Sequence, residues 1–312
     1  MAKTTGTAAN GRFALMTIMA LALPSLFWSG NFIVARAARG EVPPISLSVG
    51  RWVIALICLL PFALPHLKRD WPWYRRNWVL VVAIGVPGVT LFNSLAYVGL
   101  QYTTASNGML LNSTIPVLIL ILGAVFWGRA LRLWQVVGLG VSIFGVLVII
   151  LHGQWSRLMT LEFSRGDLII FCAMVCWAIY TLLLTRVPAQ INRLGLLTVQ
   201  IVLTLVLLMP ALAWEIGAGR LPVWTPGSVA AVIYVGIVPS VLATLLYMRA
   251  ISLAGPALAG QSIHLLPVYG AVLSTVFLGE QLHPYHAVGF VAILAGIVIA
   301  SRVGPAKRGS GG

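Results

Sequence analysis

The chain has 312 residues, 60% of them apolar and 8% charged, with a formal charge of +14 from 20 Lys/Arg against 6 Asp/Glu. A soluble chain carries about 25% charged residues, and a core built from this length has no room for so much apolar surface, so lipid must be the solvent for most of it. The basic residues sit at the ends of apolar runs rather than along one face, which suits anionic lipid headgroups and argues against nucleic acid as a partner.

A spanning helix needs about 20 apolar residues. In chain order, ten segments qualify: 13–35, 44–65, 78–100, 103–127, 132–151, 166–186, 194–214, 226–249, 256–279 and 284–303. The apolar run after the polar start is longer than a signal-peptide core and has no cleavage site, so it reads as the first span. That span puts Pro24, Trp28 and Asn31 on one face. The second carries Arg51 about two turns in, where it either snorkels to the interface or attracts a substrate carboxylate. The third has Thr90, Asn93, Ser94, Tyr97 and Gln101 at i, i+3, i+4, i+7 and i+11, which is one helical face. The fourth adds Ser106, Asn107, Asn112, Ser113 and Thr114, with Pro116 mid-span. The sixth offers Trp177, Tyr180 and Thr181, and the eighth Ser240, Thr244 and Tyr247. The ninth carries Gln261, Ser262, His264 and Pro267. Cys58, Cys172 and Cys176 each lie within an apolar run and read as buried small hydrophobes. Trp71, Trp73, Tyr74, Trp78, Trp127, Trp134, Trp155, Trp214 and Trp224 fall near segment ends, as an interfacial belt does.

Placing the N-terminus in the cytoplasm puts 14 Lys/Arg on inside segments and 5 on outside loops, with Arg51 within a span. This split predicts both termini inside. Shifting the chain by 151 residues brings Gly85 onto Gly236, Pro116 onto Pro267, Gly128 onto Gly279, Gly138 onto Gly289 and Gly145 onto Gly296. A shift of 149 brings Trp28 onto Trp177 and Pro61 onto Pro210. The expected fold is therefore an all-α membrane protein whose ten transmembrane helices form two five-helix repeats, residues 1–151 and 152–312, around a central cavity. Five is odd, so the repeats are inverted, a recurring plan of secondary transporters with the solute site at the midplane.

Polar residues within a span face the bundle interior or a water-filled cavity. The candidate solute site is accordingly Trp28, Asn31, Asn93, Tyr97, Asn112, Trp177, Tyr180, Thr244, Tyr247, Gln261 and His264. Helix-to-helix glue is the alternative, above all for Ser and Thr. His264 reads as a member of a proton relay or as a satisfied interior histidine. Pro116 and Pro267 each remove a helix hydrogen bond and read as hinges or as static bends. The glycine pairs Gly138 with Gly145 and Gly289 with Gly296 read as close helix packing. None of the six acids, Glu41, Asp70, Glu162, Asp167, Glu215 and Glu280, lies mid-span, which disfavours a lipophilic cation as solute. Only Arg51 is available to a phosphate carrier, which needs several such residues. A zwitterionic amino acid fits: amides and hydroxyls meet its charged ends and aromatic rings flank its side chain.

Trp28-Ser29-Gly30-Asn31-Phe32, Pro44 and Gly50-Arg51 resemble the opening of an EamA-type half of the drug/metabolite transporter superfamily. Leu278-Gly279-Glu280-Gln281-Leu282 resembles the motif that closes the fourth helix of such a half, where the first half has Trp127-Gly128-Arg129-Ala130-Leu131 and so replaces the acid by Arg129. The resemblance spans nearly the whole chain and is greatest to the YddG-type exporters, which implies export of aromatic and other neutral amino acids across a bacterial inner membrane by alternating access. The other readings are a channel or facilitator, an exporter of uncharged drugs, and an intramembrane enzyme. The last lacks a G-x-S-x-G elbow or a metal-ligand cluster in the sequence. No ATP-binding G-x-x-x-x-G-K-[ST] motif is present. The expectation is a carrier with no cofactor, no metal and no required protein partner, a single chain being sufficient.

Overall fold

The structure is a computed structural model. It describes residues 4–128, 133–154, 164–263 and 265–301, with the backbone alone at 4–15, 116, 127, 150, 251, 252, 254–261, 297, 300 and 301. Among the described residues every regular element is helical. Helix α1 is Thr4–Ala37 and α2 is Pro44–Arg76. Span α3 consists of Trp78–Gly85, a π turn Val86–Leu91, and Phe92–Gly99. Helix α4 is broken into Ala105–Asn112 and Ile115–Trp127. Then follow α5 (Leu133–Ile150), α6 (Arg165–Leu184) and α7 (Arg193–Gly217). Helix α8 consists of Pro226–Ile237, a π turn Val238–Leu242, and Ala243–Ser262. Helices α9 (Leu265–Leu278) and α10 (Pro284–Ser301) close the chain.

Six of these, α1, α2, α3, α6, α7 and α8, are each long and apolar enough to cross a bilayer. The two pieces of α4 qualify as one broken span, and α5, α9 and α10 are shorter apolar helices. The chain is thus an all-α, multi-pass membrane protein on the ten-segment plan. Several ends differ from expectation. Helix α1 starts at Thr4 rather than near 13. Helix α2 continues to Arg76 rather than 65; at 33 residues it is about 50 Å long against a hydrocarbon thickness of about 30 Å, so its basic end stands in the headgroup layer. Helix α8 continues to Ser262, so residues 250–255 are helix instead of a loop and α9 begins only at Leu265.

The inversion is visible in how helix ends are capped. At one face of the molecule, Glu215 at the end of α7 accepts hydrogen bonds from the backbone N–H groups of Ile45 and Ser46 and from the Ser46 hydroxyl, at 3.1, 2.8 and 2.8 Å. At the opposite face, Asp70 near the end of α2 accepts from the backbone N–H of Asn192, which opens α7, at 2.9 Å. The two helices run antiparallel, each supplying a carboxylate to the first turn of the other, where unpaired N–H groups and the helix dipole favour negative charge. Arg220, just past Glu215, therefore lies at the far end of α2 from Asp70. Glu280 repeats the device by accepting from the N–H groups of Ala105 and Ser106 and from the Ser106 hydroxyl.

Helices α5 and α10 cross in close backbone contact at the matched glycines, with Ser142 and Ile149 packed against Gly296 and Gly289. A Cβ on Gly145 would stand 2.6 Å from the Gly289 carbonyl oxygen, and one on Gly296 would meet the Gly138 carbonyl oxygen. The packing reading of these glycines holds. Replacing Gly145 by Leu is expected to lower stability by about 1–3 kcal/mol through overpacking, read as a lower unfolding midpoint of the detergent-solubilised protein; an unchanged midpoint contradicts the crossing. Trp71, Trp78, Trp134, Trp214 and Trp224 are exposed, as a belt requires. The three cysteines are free, but Cys172 is exposed and the other two only partly buried, so they are not the buried residues expected. Apolar side chains on a helix in lipid need not face inward.

The prolines act differently from the expectation. Pro116 and Pro267 both stand in the first turn of a new helix, where the missing N–H breaks nothing. What they accompany is an outright break, with a 49° bend between Ala105–Asn112 and Val117–Phe126. Pro24, Pro61, Pro65, Pro72 and Pro210 lie inside unbroken helices, whereas Pro87 and Pro239 each sit at the start of a π turn. A π turn widens the helix where a proline ring would clash with the preceding carbonyl, and such turns recur at functional sites. Pro87 comes two residues after Gly85 and Pro239 three after Gly236, so the repeat carries the irregularity in both copies.

Candidate functional site

Six of the candidate residues, Trp28, Asn31, Tyr97, Trp177, Tyr180 and Tyr247, fall into three groups on α1, α2, α3, α6 and α8. In the first group, Trp28 of α1 donates its indole N–H to the Pro239 carbonyl in the α8 π turn at 3.1 Å. Its ring packs on Tyr247 with centroids 5.4 Å apart. In the second, Trp177 of α6 lies between Phe92 of α3 and Tyr180, at 4.6 and 5.0 Å, and Tyr180 fills the space over Gly88 in the α3 π turn. Trp28 and Trp177 are repeat counterparts, and each reaches across to an aromatic residue of the other half.

The third group is polar. Arg51 Nη1 donates to Asn31 Oδ1 at 3.1 Å and to the Tyr97 hydroxyl oxygen at 2.8 Å, and that hydroxyl donates in turn to Asn31 Oδ1 at 2.8 Å. The guanidinium carbon stands 4.8 Å from the Trp52 ring centre. Arg51 is only 6% exposed. Snorkelling to the interface is overturned: seven residues into α2, about 10 Å along the axis, the side chain turns inward, because Asn31 and Tyr97 offer acceptors there. Tyr234 of α8, from the other half, places its oxygen over Gly30, next in the chain to Asn31.

Asn93 is buried one turn from Tyr97, and Asn112 is buried at the α4 break. Thr244 is half-buried one turn from Tyr247. The Gln261 side chain and all of His264 lie outside the described residues, as does the Pro116 ring. The hydroxyls mostly join helices, as their short reach favours: Thr90 bonds Thr204, Ser48 bonds Ser94 and Ser106 bonds Ser274. Ser25 and Ser29 of α1 donate to the carbonyls of Ser262 and Leu266 beside the α8–α9 break, which satisfies backbone that the break would strand in lipid. Two open, apolar clefts, of about 330 and 230 Å³, lie elsewhere. The first is lined by Trp71, Tyr74, Trp78 and Leu203, the second by Thr114, Ile121, Ile143 and Phe171. At the centre, Asn31, Arg51 and Tyr97 close on one another.

Sequence reasoning missed Trp52, Phe92, Tyr234 and the Pro239 carbonyl. The Trp28-to-Trp177 match was a usable signal for Phe92, since each tryptophan needs an aromatic partner on the facing helix. It also missed a second polar centre at the face that carries Glu280. Asp167, fully buried at the start of α6, accepts from the Thr103 hydroxyl, from Asn107 Nδ2 at 3.2 and 3.1 Å, and pairs with His152 Nε2 at 3.0 Å. His286 Nε2 of α10 lies 2.9 Å from the Asn107 side-chain Oδ1. This cluster ties α4 and the end of α5 to α6 and α10, across the two halves.

Comparison with known proteins agrees with this architecture. The uncharacterized transporter YyaM of Bacillus subtilis is 28% identical over 284 residues, covering 89% of this chain and 91% of its own length. An uncharacterized transporter of Archaeoglobus fulgidus is 26% identical, covering 91% and 97%. A protein of Streptantibioticus cattleyicolor named "Probable terminal-alkyne amino-acid exporter" is 25% identical, covering 91% and 93%. A solved structure described as "Crystal structure of protein" shares the fold at a TM-score of 0.59 and 21% identity, over 93% of this chain and 97% of that one. The model of the EamA-like transporter family matches twice, at residues 15–151 and 164–302. Two matched copies and a duplicated, inverted helical plan lead to one conclusion: this chain belongs to the EamA-like transporter family.

Proposed function

We propose that the protein is a secondary carrier that exports small neutral metabolites, amino acids including aromatic ones, across a bacterial inner membrane by alternating access. The observation that carries this reading is the pair of cross-half aromatic contacts, Trp28 with Tyr247 and Phe92 with Trp177, set beside the polar group of Asn31 and Tyr97. Rings on both sides of a few convergent polar groups suit an amino acid. The relative named "Probable terminal-alkyne amino-acid exporter" supports it. Both termini face the cytoplasm in this reading, and one chain suffices without cofactor or metal. Pro116 and Pro267, at the helix breaks, are the hinges.

The test is uptake of radiolabelled Phe, Trp, Thr and Met by purified protein in liposomes across a set pH gradient. Saturable uptake, accelerated by unlabelled amino acid on the far side, is expected of a carrier and not of a channel. Flat uptake for the whole panel removes the amino-acid reading.

A further inference from the structure

Arg51 is a buried cation with no anion beside it. Among the described residues Arg69 lies against Asp70 and His152 against Asp167, and no carboxylate lies within 4.0 Å of Arg51. Its hydrogen bonds all leave from Nη1. Nε is sealed from solvent and has no acceptor, and Nη2 makes no bond to a described residue. Nε and Nη2 form the side edge of the guanidinium, whose two parallel N–H groups match the two oxygens of a carboxylate. The same chain uses that edge at Arg69, where Nε and Nη2 donate to the two oxygens of Asp70 at 2.7 and 3.1 Å. Asn31 and Tyr97 orient the guanidinium from the far side, and Trp52 supports its face. A protein that needed Arg51 only to join α1, α2 and α3 would be served by a neutral donor, without desolvating a charge.

We propose that Arg51 is the carboxylate anchor of the carrier: in a conformation that opens this closed centre, its Nε–Nη2 edge receives the carboxylate of the solute, which makes a carboxylate the required group. This rests on the carrier reading above and narrows its substrates to α-amino acids and related monocarboxylates. Asn31 and Tyr97 are positioning residues that act through Arg51.

The test uses purified full-length protein with four probes: phenylalanine, phenylalanine amide, phenethylamine and 3-phenylpropionate. Two readouts are taken, the ligand-induced rise in unfolding midpoint and competition with labelled uptake. The two carboxylates are expected to raise the midpoint. The amide and the amine should be weaker by about tenfold to a hundredfold. Arg51→Lys keeps the charge without the fork and should weaken phenylalanine by about tenfold or more, while Arg51→Gln should abolish its effect. If amide and amine act as well as the acids on the wild-type protein, or if no carboxylate shifts the midpoint, the anchor is overturned; the wild-type panel decides this even where a variant fails to fold. If 3-phenylpropionate binds through Arg51 while phenylalanine is neither bound nor carried, the anchor stands and the amino-acid reading falls.

Discussion

Replacing Asp167 by Ala is expected to cost about 3–5 kcal/mol, the usual loss when one partner of a buried charged network is removed. Asp167 is fully buried and is the shared acceptor for Thr103, Asn107 and His152. Without it those donors stay in place with nothing to accept from them, and Asn107 loses its hold while still bonded to His286. Asp167→Asn should cost less. It keeps an oxygen for Thr103 but turns an N–H group toward the Asn107 amide or His152. The measurement is thermal unfolding of the purified protein together with the yield of monodisperse material. An Asp167→Ala protein with a wild-type midpoint would show that the cluster does not hold the halves together.

The carboxylate caps give the second large effect. Glu215→Ala strips the α2 start of acceptors for two backbone N–H groups and the Ser46 hydroxyl. Hydrogen bonds to charged groups contribute about 1.5–3 kcal/mol each, and water recovers part of that near a helix end, so a loss of about 3 kcal/mol is expected. Glu280→Ala should match it, because the bonding pattern at Ala105 and Ser106 is the same. The two sites share no partner, so the double variant should lose the sum. Asp70→Ala should cost less than either: it caps through one backbone N–H, and its other partner, Arg69, is 58% exposed. Equal losses at Asp70 and Glu215 would mean that the caps contribute through overall charge and not through these bonds.

Much of the fold could be read from residue patterns because lipid simplifies the problem. Where every backbone bond must be made within the segment, apolar length locates helices, and the Gly138, Gly145, Gly289 and Gly296 spacing signalled close packing without showing that α5 and α10 are the partners. The direction of Arg51 could not be read this way. Whether a long cation snorkels or turns inward depends on acceptors at Asn31 and Tyr97, 20 and 46 positions away. Nor could the Asp167 cluster, since its members lie in two connecting segments and at the starts of three helices and follow no spacing. The acids correctly fell at span ends, but which N-terminus each would cap required the helix neighbours. Pro87 and Pro239 were passed over because a proline announces a lost hydrogen bond without showing whether the helix breaks, bends or widens around it.

The widened turns have a consequence for how this molecule tolerates change. One residue beyond the α-helical count rotates everything downstream by about 100° about the helix axis. Shortening 86–91 by a single position would leave the apolar length of α3 nearly unaltered, yet swing Asn93 and Tyr97 off their present bearings and bring lipid-facing neighbours round in their place. The same holds for Thr244 and Tyr247 beyond 238–242. At these two points the protein distinguishes its interior from its greasy exterior by counting residues, so substitutions there should be forgiven far more readily than insertions or deletions.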